Sequence, residues 1–212
     1  PIRDDICEDA TRLCHLLCES SCASPATKAL LALMLFHAAR LDARTSDDGA
    51  VVLLEDQDRS KWDSRLMAAG KHWLMQSKAE QATTFHLEAA IAMEHCRAPS
   101  VERTNWNMIV RLYDRLIQLR QSPVYLLNQA IALAQSGDTR GAMLQLESLR
   151  DLPEMVKYVL LDCAFARVHE LQGDTQQAID AYLSALSKAT ASHEKQLLER
   201  KLQGLSNESP KC

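Results

Sequence analysis

The chain has 212 residues, of which 47% are hydrophobic and 25% charged, with a formal net charge of -4. This is the balance of a folded globular chain, long enough for one large helical domain or two small ones, and not that of a disordered one. The acidic balance argues against a dominant nucleic-acid surface, and no apolar run approaches the ~20 residues of a membrane helix.

Glycine and proline number six each, which favours long helices joined by short turns. No secretory leader is expected, and proline at residue 1 points to a piece of a longer chain. Seven cysteines, an odd number with no paired framework, fit reduced thiols in a cytosolic protein.

Residues 3–20 place Ile6, Ala10, Leu13, Leu16 and Leu17 at helical spacing. Pro25 suits the first turn of a second helix, ATKALLALMLFHAARL, which is apolar nearly all round and therefore central. RTSDDG then signals a turn, with Gly49 free to take positive φ, and AVVLL reads as an extended arm near 44–57. A third helix is expected in KWDSRLMAAGKHWLMQSK, with Trp62, Leu66, Ala69 and Trp73 on one face. Ser60 and Asp63 match the S-x-x-D form of a capping box, with Asp58 a rival N-cap.

From residue 81 the chain repeats itself. FHLEAAIAM (85–93) and YLLNQAIAL (125–133) share an aromatic, a leucine and an Ala-Ile-Ala-apolar run, and SGDTRGAMLQLESL (136–149) parallels QGDTQQAIDAYLSAL (172–186). In the last segment the Gly173-Asp174 turn, Ala178, Tyr182 and Ala185 follow the tetratricopeptide pattern, small residues allowing close helix approach and the aromatic filling the gap. The Gly137 unit is a weaker copy, with Leu146 and Leu149 at the aromatic and last small positions. Residues 82–96 and WNMIVRLYDRL (106–116), with Tyr113, read as a further helix pair. The expected fold is all-α. An N-terminal helical subdomain over 1–80 precedes a tetratricopeptide-like helical-hairpin array over 81–205, with an amphipathic capping helix and a flexible tail at 206–212.

Candidate chemistry is sparse. Cys14, Cys18 and Cys22 lie at i, i+4 and i+8 beside His15, a spacing that can hold zinc, but no second cluster accompanies them and buried apolar cysteines are the simpler reading. His95-Cys96 has no orienting partner for a thiol–imidazole pair; a histidine bonding the last carbonyls of its helix is the ordinary explanation. Glu55, Asp56, Asp58 and Asp63 lack an EF-hand pattern, and Arg59 and Lys61 among them would neutralise a cation site. No phosphate-binding loop and no nucleophile-elbow motif is present, so neither enzymatic activity nor a cofactor is expected.

The run ARTSDDGAVVLLEDQDRSKWD resembles the tetratricopeptide-like C-terminal extension of a group of bacterial extracytoplasmic-function RNA polymerase sigma factors. In that group an ART-acidic-G segment leads into E-[DE]-Q-D-R-S-[RK]-W, here Ala43, Arg44, Thr45, Gly49 and then Glu55 to Trp62. The likeness continues through H-x-A-R at His37 and Arg40, AAIAMEH ending at His95, APSVERTNW with Trp106, LYDRL, SPVYLLNQAIAL with Asn128, and LERKL, so it spans roughly 10–203. The three clustered cysteines are not part of this pattern, and the sigma regions that grip polymerase and read promoters are absent from these residues.

The resemblance implies a cytoplasmic regulatory domain in transcription initiation. It would contact the sigma core or RNA polymerase, with no direct nucleic-acid binding and no membrane. Glu55, Asp56, Gln57, Asp58, Arg59 and Trp62 would form the contact surface, with Trp62 or Arg59 as anchor and the acidic groups matching basic sigma surface. Two rival readings are a stand-alone tetratricopeptide adaptor for a peptide and a small-molecule sensor. For the sensor, His37, Arg40, Trp73, His95, Trp106 and Asn128 are the candidate pocket. A metalloprotein using Cys14, Cys18 and Cys22 is the third.

Overall fold

The computed structural model describes residues 4–46 and 51–208. Those residues form ten α-helices and two short 3-10 turns, with no β-sheet. They divide into two compact units, Pro1–Ser46 with Val52–Arg120, and Asp47–Val51 with Gln121–Cys212.

In the first unit, α1 (Asp4–Glu19), α3 (Ser64–Gln76) and α4 (Thr84–Arg97) each pack on α2 (Pro25–Ala38), and α5 (Trp106–Leu119) packs on α4. The central place of α2 follows from its sequence. Its start is set by Ser24, whose hydroxyl accepts from the Thr27 N–H at 3.1 Å, with Pro25 at the first position. Its Ala29, Leu31, Ala32, Leu35 and Phe36 are all buried. On one side Leu31 and Leu35 meet Cys14 and Cys18 of α1 and Leu66, Ala69 and Trp73 of α3; on the other, Ala32 and Phe36 meet Ala89 and Ala92 of α4. The sequence boundary at 80/81 parts α3 from α4, whereas the alanine contacts of α4 with α2 carry the first unit on to Arg120.

The first helix buries two of its cysteines and leaves its leucines out. Leu13 is 60% exposed, and Ile6, Leu16 and Leu17 are also exposed, while Cys14 and Cys18 form the buried stripe. Each thiol is thus a small apolar side chain against α2, and burial raises the pKa of both. Cys22 is exposed beyond the end of the helix, and among the described residues no three His, Cys, Asp or Glu side chains stand together as metal ligands.

The arm near 44–57 is non-helical and forms no strand; the Val52 N–H donates to the Arg44 carbonyl at 2.9 Å. Gly49 and the acidic pair at 47–48, on which the turn expectation rests, lie outside the described residues.

In the second unit, α6 (Pro123–Gln135) pairs with α7 (Thr139–Leu149) and α8 (Val159–Gln172) pairs with α9 (Thr175–Lys188), as the repeats imply. Both Gly-Asp-Thr turns take the same form: Gly137 and Gly173 have φ of 101° and 77°, and Asp138 and Asp174 cap the following helices. Ala142 and Ala178 are fully buried. Tyr182 fills its position and donates its hydroxyl to Glu170 at 2.8 Å, while Leu146 is buried at the matching place. Then α10 (Ser192–Glu208) packs on α9 through Leu198. The helix continues through 206–208, where a tail was expected to begin; 209–212 lie outside the described residues.

Candidate functional site

The charged run before α3 folds as two successive caps. Asp58 accepts from the Ser60 N–H at 2.9 Å and from its hydroxyl at 2.7 Å, starting a 3-10 turn over Arg59–Lys61. Asp63 then accepts from the N–H groups of Arg65 at 2.7 Å and Leu66 at 3.1 Å, starting α3. The expected Ser60/Asp63 capping box is therefore corrected: both aspartates cap, Ser60 is itself a donor, and α3 begins at Ser64. Trp62 precedes the helix in extended backbone, ψ 129°, instead of sharing the face of Leu66, Ala69 and Trp73.

That extended residue turns the run inside out. Trp62 is only 6% exposed and Gln57 is buried, its amide donating to the Val52 carbonyl at 3.2 Å. Arg59 is half-buried and reaches across to the end of α4, donating through one Nη to the carbonyls of His95 at 2.6 Å and Ala98 at 2.7 Å. It caps the helix C-terminus with a charge of the favoured sign. The expectation that His95 caps that end is corrected: Arg59 does so, and the His95 ring instead meets Trp106 edge-on at 5.3 Å. Of the two expected anchors, Trp62 is buried and Arg59 is half-buried, with one Nη engaged inside its own unit. Asp56, Asp58, Ser60 and Lys61 are the outward members, with Glu55 half-buried.

Around Trp62 gathers a cluster the sequence only partly anticipates. The Arg59 guanidinium lies 4.6 Å from the Trp62 ring centroid and that of Arg40, which is 7% exposed, lies 5.6 Å from it. His37, Arg44, His95 and Cys96 are close enough to Arg40 or Arg59 for their charges to interact. Burial first, then the neighbouring arginines, lowers the pKa of His95 to about 4. His37 is also pressed to about 4, by desolvation and then by Arg40 and Arg44; its ring edge meets solvent, which tempers the effect. Burial raises the Cys96 thiol to about 11 against the pull of both arginines, so His95 and Cys96 are both neutral near pH 7 and form no thiolate–imidazolium pair.

Of the six residues expected to line a pocket, His37, Arg40, His95 and Trp106 belong to this neighbourhood. Trp73 packs against both the Cys14–Leu31 cluster and the Phe36–Ala89 cluster, which Cys96 also borders, and stands edge-on to His15 at 5.4 Å. Asn128 is on α6, in the second unit. Missed by sequence reasoning are Arg44 as a neighbour of His37 and Arg40, and the exposed Glu102, whose charge reaches Arg59. Their signal would have been the charge pattern of the loops after α2 and α4, which says nothing of spatial proximity.

Residues 1–78 match the model of a family of unknown function (DUF6596), a stretch that holds Arg40, Arg59 and Trp62 and stops before His95. The chain is also similar to an uncharacterized protein of Rhizobium meliloti (strain 1021), with 36% identity over 146 residues. That alignment covers 68% of this chain and 34% of the relative, so the chain spans about a third of the length of the curated protein it matches. No solved structure matches it.

Proposed function

We propose that this chain is the C-terminal regulatory domain of an extracytoplasmic-function sigma factor. In this reading it works in the cytoplasm and controls transcription initiation by contact with the sigma core or RNA polymerase. The observation that carries the reading is the division of the 55–62 run. Its inward half, Gln57, Arg59 and Trp62, is packed into the first unit, and its outward half presents Asp56 and Asp58 on a capped turn. A turn held from below loses little conformational freedom on docking, so an acidic edge of this kind suits a basic protein surface. The resemblance of the whole run to the extension of that sigma group supports the choice of partner. Among the described residues no helix is long and apolar enough to cross a membrane.

The test uses the full-length protein in a promoter reporter. Asp56→Lys, which changes an exposed charge, is expected to alter reporter output at least severalfold at equal protein abundance. Unchanged output would reject the acidic edge as the regulatory contact.

A further inference from the structure

Among the described residues, the cations around Trp62 are poorly matched by counter-charges of the first unit. Arg40 feels the charges of Cys96, Arg44 and Arg59, and Arg59 those of Cys96 and Glu102. Cys96 is a neutral thiol near pH 7, and the Glu102 carboxylate is exposed and bonded to Ser100. Among the described residues the ion pairs involve none of Arg40, Arg44 and Arg59. The Trp62 ring offers the Arg40 and Arg59 guanidiniums its quadrupole, which attracts cations without neutralising them.

The hydrogen bonding is equally incomplete. Arg40 Nε, Arg59 Nη2, Trp62 Nε1 and His95 Nδ1 are all buried without a partner among the described residues. Three of these atoms can only donate, and Arg40 and Trp62 are each more than nine-tenths buried. Native interiors rarely leave several donors unpaired in one place, and a guanidinium fork suits two oxygens of one planar or tetrahedral anion. Arg59 is already fixed by its other Nη on the end of α4, so its remaining edge is preorganised. Arg59 and Arg44 are half-buried and His37 is exposed.

We propose that Arg40 and Arg59, beside Trp62 and with the charge of Arg44 acting on Arg40, form a binding site for an oxyanion, a carboxylate or phosphate group. The source is either a free small anion or an acidic side chain of a protein segment; the chemistry of recognition is the same. This site stands independently of the sigma-factor reading, since it rests on buried cations and unpaired donors alone.

The test is titration calorimetry and thermal unfolding of this chain at constant ionic strength, chloride replacing each probe. The probes are inorganic phosphate and a terminally blocked triglutamate peptide. A saturable rise in Tm with matching calorimetric binding is expected, weakened about tenfold by Arg44→Ala, the loss of one neighbouring charge, and abolished by Arg40→Met. Arg44 is half-buried on a loop, so Arg44→Ala keeps the test decisive if Arg40→Met does not fold. Binding of phosphate but not of the peptide identifies a free anion; tighter binding of the peptide identifies an acidic segment. Either outcome supports the site. No saturable response to either probe, or a response that both variants leave undiminished, overturns it. Promoter output of Asp56→Lys is a separate readout, so the failure of one proposal leaves the other standing.

Discussion

The Arg59 guanidinium donates to the His95 carbonyl at 2.6 Å across 36 residues of chain. With the Ala98 carbonyl at 2.7 Å, this one side chain closes the C-terminal end of α4 and ties it to the loop before α3. Charge-assisted bonds to backbone contribute about 1.5–3 kcal/mol each, less when one donor is shared. Arg59→Ala is therefore expected to destabilise the first unit by about 2–3 kcal/mol in urea unfolding, with Arg59→Lys recovering part of it. A null result in the denaturation curve would show the capping bonds to be idle.

Close approach of α3 to α2 depends on Gly70. A Cβ there would lie 2.9 Å from Phe36 Cε1 and 3.0 Å from Cδ1, and Phe36 is fully buried. Alanine gains about 1 kcal/mol of helix propensity, but overpacking a filled core costs about 1–3 kcal/mol. Gly70→Ala is expected to lower the unfolding midpoint modestly, and Gly70→Ala with Phe36→Leu to restore much of it. A rise in stability for the single change would mean the ring has room to move.

The His95 ring gives stability a pH dependence. Its folded pKa of about 4 lies below the unfolded value of 6.5, so between these pH values the unfolded chain binds more protons. Stability is fully present above pH 6.5, falls as pH drops towards 4, and levels off below that. The loss is at most about 3 kcal/mol, the free energy of a shift of this size, less what solvent at the half-buried ring relieves. His95→Gln should flatten this part of the profile; an unchanged slope would move the effect to other groups. His37 contributes in the same direction but less, because its ring meets solvent.

The two Gly-Asp-Thr turns should respond unequally to alanine. Gly173 has φ 77°, near the left-handed helical region, and Gly137 has φ 101°, further from it. Left-handed backbone costs a β-carbon-bearing residue about 1–2 kcal/mol, and more outside the helical well. Thermal unfolding is expected to rank the variants, with Gly137→Ala below Gly173→Ala and Gly173→Asn the mildest. Equal midpoints would show that both turns relax.

Legibility from sequence followed the range of the interactions. The turn glycines, the small residues Ala142 and Ala178, and the apolar run of α2 were readable, since each acts within one turn or one face of a helix. In the N-terminal helix the leucines and the cysteines both recur at helical spacing. Periodicity alone does not say which stripe faces α2. The cap before α3 misled because Asp58 and Asp63 are both good N-caps, and the chain uses each for a separate turn. Of the candidate site, Arg40, His37, His95 and Trp106 are readable and lie near one another, whereas Trp73 packs between the two core clusters around α2.

By itself the sequence determined that this protein is all-helical, that its C-terminal half is built of paired helices joined by Gly-Asp turns, and that α2 lies at the centre of its unit. Helical periodicity, left-handed glycines and side-chain caps are local effects, written in residues a few positions apart. Only the tertiary structure decided which charges of the 53–63 run face inward. Trp62 leaves the helix whose face it was expected to share, and Arg59 finds acceptors on α4, so Trp62 and Arg59 turn inward while Asp56, Asp58 and Lys61 stay out. That choice depends on the free carbonyls at the end of a distant helix, which no local pattern encodes.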